Sequence, residues 1–456
     1  MGQRIVILGG GISGLSMAYF LQQKGKDVVL LEKNEQAGGV IQTEIDQGFV
    51  CESGPNTVLI NNPAIAQLLT DLKLIDQCVF ADKSSSKRFL LHNNQLMALP
   101  GTAGQFFRSP LLTPLQKMRV LMEPFVSQHG SKENPSIKAF VCRRFGSSVY
   151  EKFVVPFVTG IYAGDPAHMS VRHALRMLYT AEQQYGSVLL GLPKHIKKRN
   201  AQLNQMGVPA GALFSFRNGM QHLTSTLHKE LANVVKCNAE AYRLEVADNK
   251  VHLHYRQHGK EEHLVADQLV STLDAPATAQ LLSPLDSDLG KRLNKVDYAP
   301  MAILHLGFRK SSLKNAVRGF GVLTTASEQH HFLGSIFSSV MFPHTAPKDM
   351  ELFTVFAGGQ RQPDIVQLPD EAFKQLVIPE IQTLLGSTTA PEFVRIKRWQ
   401  SAIPQYSLDH QSLLDATAQF QATHQRIHLG GNYLHGVSLS DCIANASYLA
   451  TKLANH

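Results

Sequence analysis

Between Arg4 and Glu32 a short apolar run, three spaced glycines, a helical stretch, a second apolar run and an acid follow one another, an order few folds accept. Residues Arg4 to Leu8 (RIVIL) read as a buried parallel strand, being β-branched and apolar on both faces. Gly9-Gly10-Gly11-Ile12-Ser13-Gly14 follows at once. Leu15, Ala18, Tyr19 and Leu21 then recur at helical spacing up to Gly25, a stop signal. Val28 to Leu31 is a second strand, closed by Glu32 and Lys33. Gly9, Gly11 and Gly14 stand at the GxGxxG spacing of a βαβ dinucleotide site. Gly9 permits the tight turn, Gly11 lets backbone approach a pyrophosphate, and Gly14 lets helix pack on strand. Ile12 and Ser13 open the helix, where unpaired N–H groups and the dipole favour an anion. Glu32, 18 residues past Gly14, is placed to accept from ribose hydroxyls, which argues against the 2′-phosphate of NADP.

The following segment points to FAD rather than NAD. Gly38-Gly39 comes six residues after the acid, and Gly48-Phe49-Val50-Cys51-Glu52-Ser53-Gly54-Pro55 soon after. A glycine pair at that place is typical of flavoproteins similar to glutathione reductase and amine oxidases. Many amine oxidases carry an Arg directly after the pair; Val40 stands here and counts against amine oxidation. At the far end, Arg426 to Leu429 reads as a strand, Gly430-Gly431-Asn432 as a turn, and Ser438 to Leu453 as a helix. Amides near Gly436, Val437 and Ser438 would then face the flavin ring, whose reduced form carries negative charge. Gly54, Pro55, Asn56, Thr57, Trp399 and Gly431 complete the candidate cofactor set with Lys33.

At 456 residues the chain needs two or three cores. No apolar run reaches the roughly 18–20 residues that span a bilayer, and no signal peptide is read. Cys51, Cys78, Cys142, Cys237 and Cys442 lie far apart without a CxxC pair, so free thiols in a reducing cytoplasm are expected. A net charge of +8 suits an acidic small molecule or an anionic membrane face. The charge is too dispersed for nucleic acid. Its densest cluster, Lys194 to Arg199, reads as a solvated loop or helix face. No GxSxG, HExxH, Walker A or EF-hand pattern occurs and the histidines are scattered, so no metal site is expected and the chemistry falls to the flavin.

The middle reads as helices over Leu111 to Phe125, Ile137 to Arg144, Ser148 to Phe157 and Arg172 to Gln184, with another after Pro63. Phe106, Phe107, Leu111 and Leu112 suit a lipid interface or a buried helix start equally. Arg88 to Leu91 and Gln95 to Leu99 form a hairpin. Helices are expected over Met220 to Leu231 and, capped by Asp274, Ala275 to Leu282. Strands are expected at Val251 to Tyr255, Gln268 to Leu273, Met301 to Phe308, Phe332 to Ser338 and Glu351 to Phe356.

Several segments together resemble the FAD-dependent, oxygen-using protoporphyrinogen oxidase family: Gly54-Pro55-Asn56-Thr57, Arg143-Arg144-Phe145-Gly146, Gly160 to Pro166, Tyr298-Ala299-Pro300, Gly319-Phe320-Gly321 with Leu323, Phe342-Pro343, Ala402 to Tyr406, and Gly430 to Ser438. The resemblance implies an α/β (α+β overall) fold similar to monoamine oxidases: a Rossmann-like FAD domain, a mixed-sheet substrate domain and a helical membrane-associating insertion. The expected bounds are 1–85, 210–290 and 395–456 for FAD, 86–105 and 291–394 for substrate, and 106–209 for the insertion. It implies six-electron oxidation of a porphyrinogen, with O2 taking the electrons and leaving as H2O2. It further implies peripheral attachment to the inner face of the cell membrane and a possible homodimer. Arg88 would hold a substrate carboxylate, Leu323 and Phe342 would flank the tetrapyrrole, and Gly164 would bring backbone close to it. Coproporphyrinogen III is the nearest rival substrate. A flavin amine oxidase and a flavin-free binding protein similar to GDP-dissociation inhibitors are the more distant readings.

Overall fold

The computed structural model describes residues 3–128, 134–315, 317–325 and 328–455. Five short strands form a parallel sheet: β1 (Arg4–Leu8), β2 (Asp27–Leu31), β3 (Val235–Lys236), β4 (Gln268–Ser271) and β5 (Ile427–Leu429), in the order β3-β2-β1-β4-β5. This is the dinucleotide-binding order. Side chains alternate across β1, and both faces are covered. Ile5 and Ile7 join the core made with α1 (Ile12–Gln23) and α2 (Leu439–Ala454). Val6 and Leu8 pack instead toward Leu253 and Tyr255 of a three-stranded antiparallel sheet spanning 239–266.

A seven-stranded mixed sheet forms the second unit. Its order runs Phe393–Pro404, Tyr298–Arg309, Met350–Gly358, Gly334–Ile336, Gly321–Thr324, Arg88–His92, Gln95–Ala98. Neighbours are antiparallel except Gly321–Thr324 beside Arg88–His92, which run parallel. Leu304, Leu306 and Val355 bury one face against Phe373, Val377 and Ile381 of helix Asp370–Leu385. The opposite face is left to the site. Strand Phe393–Pro404 crosses the expected boundary at residue 395, so 395–404 lie in this sheet and not in the parallel one.

The hairpin, the helix after Asp274 and the terminal helix appear where the sequence places them. Asp274 accepts from the Ala277 N–H at 2.8 Å and Ser438 from the Asp441 N–H at 3.1 Å, satisfying amides that helix starts leave unpaired. Several middle elements differ. The helix expected over Leu111 to Phe125 is Pro114–Leu121 followed by a 3-10 turn, because Thr113 and Gln116 build a capping box that sets the start. Ser148 to Phe157 belongs to one longer run through Tyr162 with a π turn at Tyr150–Val154. Arg172 to Gln184 is broken at Leu175, where φ is −117° and ψ 49°. Helix Val188–Gln205 carries Lys194 to Arg199 despite Pro193 inside it. Phe332 to Ser338 yields only the strand Gly334–Ile336, a helix beginning at Ser338. Apolar periodicity located these segments, but caps and backbone breaks set their limits.

Candidate cofactor and substrate site

The glycine turn after β1 is shaped by backbone contact. A Cβ on Gly14 would lie 1.9 Å from the Gly9 carbonyl oxygen, so helix and turn meet only because Gly14 has none. Gly11 differs: nothing lies within 4 Å of where its Cβ would be. The open space at the N-terminus of α1 is therefore a cradle that a side chain would fill. Across it, the Gly38 N–H donates to the Gly10 carbonyl at 2.8 Å, and a Cβ on Gly39 would stand 3.2 Å from the Gly11 Cα. Glu32 is buried at the end of β2. Its carboxylate accepts from the Gly10 N–H at 2.7 Å and from the Asn34 N–H at 2.8 Å. Lys33 beside it is exposed.

The first turns of α1 and α2 adjoin, with Ser13 hydrogen-bonded to Cys442. Both helix N-termini thus present positive dipole ends near the same place. Gly431 turns the chain ahead of α2 at φ 109°, and Val437 is half-buried while Ser438 caps the helix. Gly54 lies against the Val40 carbonyl, Asn56 donates to the Gly54 carbonyl at 3.2 Å, and Pro55 and Thr57 are half-buried beside them. Trp399 donates its Nε1–H to the Ser53 carbonyl at 2.6 Å, joining the mixed sheet to this segment. A cradle without side chains, a buried acid at the strand end and two helix N-termini fit a dinucleotide.

A cavity of about 320 Å³ adjoins the cradle, bounded by Gly38, Gly39, Cys51, His305, Arg395 and Lys397. Burial pushes the Cys51 thiol up to about 12 and the Glu52 carboxyl up to about 7, although the Met220 N–H and the Thr43 hydroxyl donate to Glu52. Burial lowers His305 to about 4, so its ring is neutral at pH 7. Its Nε2 lies 3.2 Å from the Glu52 carbonyl, which can only accept, so that nitrogen carries the proton.

The free face of the mixed sheet connects this cavity to a larger one. Paired residues share a face, and one row reads Leu90, Leu323, Gly334, Phe356, Ile303, Lys397. The next reads Arg88, Gly321, Ile336, Thr354, His305, Arg395. At its far end a cavity of about 720 Å³ lies against Leu90 and His92, walled opposite by Tyr150, Val155, Thr159 and Gly164. Its size is ample for a macrocyclic ligand. A Cβ on Gly160 would fall 2.4 Å from Leu323 Cδ2, so that glycine lets the helix close on the sheet.

The structure thus brings Gly164 and the strand of Arg88 to one cavity; Leu323 does not line it but pairs with Leu90, which does. Arg88 is exposed on the face that carries Leu90 and His92, its guanidinium 5.1 Å from the Phe320 ring centre. Phe342 is placed elsewhere: it is buried after helix Ser338–Met341, facing His344, and does not line the cavity. The aromatic ring in the Leu323 row is Phe356, which sequence reading treated as a strand residue only. Period-two alternation could have paired it with Ile303, but not with the site. His305 was missed for the same reason. Among the described residues no group of His, Cys, Asp and Glu is arranged to hold a metal ion.

The model of the flavin containing amine oxidoreductase family matches residues 12–451. The chain is 29% identical over 471 residues to protoporphyrinogen oxidase 2 of Arabidopsis thaliana, covering 97% of this chain and 92% of that one. It is 25% identical to coproporphyrinogen III oxidase of Bacillus subtilis, covering 97% and 96%. A crystal structure described as a candidate protoporphyrinogen oxidase, from Exiguobacterium sp. 255-15, superposes with a TM-score of 0.81 at 23% identity, covering 100% of this chain and 99% of that one. At that identity the likeness speaks for the fold. With the fingerprint, the cradle and a match over nearly its whole length, the chain belongs to the flavin containing amine oxidoreductase family and is an oxidoreductase whose cofactor is FAD.

Proposed function

We propose that this chain oxidises protoporphyrinogen IX to protoporphyrin IX, in haem biosynthesis. Bound FAD would supply the redox chemistry: six electrons leave the porphyrinogen in three two-electron oxidations, with O2 as acceptor and H2O2 as by-product. The observation that carries the reading is the 720 Å³ cavity, whose sheet wall runs on through Leu323 and Phe356 to the residues beside the glycine cradle. A puckered, mostly apolar ring with carboxylates on one edge suits such walls. The protein's own part is to orient that ring and exclude water. His305, neutral and committed to Glu52 and Thr354, is a fixed donor rather than a proton shuttle. Arg88 holds a carboxylate at the rim, where a planar guanidinium gives direction as well as attraction.

Porphyrin fluorescence tests this, with protoporphyrinogen IX and coproporphyrinogen III compared in air and without it, against an enzyme-free control. Three O2 consumed per porphyrin are expected. No acceleration over autoxidation would end the reading, and faster turnover of coproporphyrinogen would replace the substrate. Arg88→Ala should raise KM about tenfold with little change in kcat, since it acts in binding. An unchanged KM would remove it from the site.

We further propose peripheral membrane attachment through the helical segment. No helix among the described residues is long and apolar enough to cross a membrane. Of the quartet noted in the sequence, Leu111 and Leu112 are buried while Phe107 is exposed. The larger apolar face is Leu115, Met118 and Phe125, with Leu115 84% and Phe125 79% exposed, and Lys117 and Arg119 on the same helix. An amphipathic helix with basic flanks suits an anionic lipid surface. A homodimer belongs to the same proposal, and light scattering reads it directly.

A further inference from the structure

Arg361 follows strand Met350–Gly358 and lies on the wall of the larger cavity with Gly164, Asp165 and Lys152. Its turn is pinned on both sides. Gly358 and Gly359 reverse the chain at φ 105° and 68°. The Gln360 N–H donates to the Ala163 carbonyl at 2.7 Å and its side chain to Asp297 at 2.6 Å. The Gln362 side chain donates to the His330 carbonyl at 3.0 Å. Ala163 closes its own helix in the left-handed region at φ 51°, so the Gly164 segment and Arg361 are fixed against each other.

The guanidinium is half-buried, and among the described residues it makes no hydrogen bond and no ion pair. Asp165 is the carboxylate whose charge acts on it. That carboxylate is committed elsewhere, to the Ala167 N–H at 2.8 Å and the His168 ring at 2.9 Å. Five N–H donors partly withdrawn from water without an acceptor are stabilised by an anion that offers two oxygens. Lys152 adds a second cation, one of whose hydrogens goes to the Leu111 carbonyl at 2.9 Å. Glu151 on the same wall is exposed to solvent.

We propose that Arg361 is a second carboxylate anchor of the substrate cavity, taking a propionate of the porphyrinogen, with Lys152 in support. This rests on the porphyrinogen reading above. One anchor at Arg88 leaves the ring free to pivot about it; a second fixes the rotation, and with it which edge of the ring is turned to the cofactor.

Steady-state kinetics of the wild type, Arg361→Gln and Arg361→Lys test it, with protoporphyrinogen IX and with its dimethyl ester read as substrate or competitive inhibitor. Flavin content checks that each variant is assembled. Arg361→Gln should raise KM for the free acid about 10–100-fold with kcat within about threefold, as for loss of a charge-assisted pair. Arg361→Lys should recover part of that loss, and the ester should respond equally to all three enzymes. A change shared by acid and ester would make the residue structural and overturn the proposal, as would an unchanged KM. If Arg361→Gln fails to retain flavin, Arg361→Lys decides alone: a shift confined to the acid supports the proposal and a shared shift overturns it. A wild type that accelerates no porphyrinogen oxidation would remove the underlying reading and this proposal with it.

Discussion

Two glycines three residues apart do different work, and substitution separates them. Gly14→Ala drives a methyl into the Gly9 carbonyl and should destabilise the fold by about 1–3 kcal/mol. Gly11→Ala meets open space at an ordinary φ of −72°. The apoprotein should therefore melt as the wild type does, while flavin absorbance per protein falls because the methyl fills the cradle. Equal flavin content would show that the cradle is not the binding surface. Glu52 gives a second test at this scale. Burial raises its carboxyl from 4.5 to about 7, so between those values the folded chain keeps a proton that the unfolded chain has lost. Stability then falls as pH rises through that window and levels off above it. Glu52→Gln should remove that slope, worth on the order of 3 kcal/mol, in melting temperatures measured from pH 4.5 to 8. Residues such as Glu32 and Gly11 were legible because a dinucleotide site imposes their spacing along the chain. Arg361, His305 and Phe356 were not, since each acquires its surroundings from strands distant in sequence.

At the scale of elements, the helical segment is held by a buried ionic cluster. Arg144 pairs with Glu123 at 3.0 Å and with Glu182, all three fully buried, and Ser187 donates to Glu123 from the cap of helix Val188–Gln205. One guanidinium thus ties together four helical pieces. Arg144→Met should cost about 3–5 kcal/mol, because Glu123 would stay buried without its cation while Glu182 would keep only Arg143, at 2.7 Å. Urea unfolding followed by far-UV circular dichroism reads that loss, and a drop below about 1 kcal/mol would show the cluster to be dispensable. Sequence reading located the helices here from their apolar spacing. It missed Val188–Gln205 and the break at Leu175, where backbone geometry, not composition, ends the element, while the break at Gly146 falls between the two helices expected there.

At the scale of the molecule, one sheet face joins the cofactor cradle to the substrate cavity, while the exposed apolar helix lies in the segment that supplies the opposite wall. Replacing Leu115, Met118 and Phe125 by Ser should weaken binding to anionic vesicles tenfold or more, since each side chain carries about 1.5–3 kcal/mol of apolar transfer. Turnover of detergent-dispersed substrate should stay unchanged. Undiminished sedimentation with vesicles would place the membrane contact elsewhere. The sequence by itself determined the dinucleotide unit, because strand, glycines, helix and acid lie within about thirty residues and each answers a local steric or electrostatic demand. Family segments such as Gly160 to Pro166 then named a chemistry. Only the tertiary structure decided which residues line the cavity. Register across seven strands put Leu323 beside Leu90 and, across Gly334, in one row with Phe356; Phe342 stayed outside the cavity, and the turn at Gly358 and Gly359 brought Arg361 to Gly164. Pairing between strands more than two hundred residues apart leaves no periodic trace in either one.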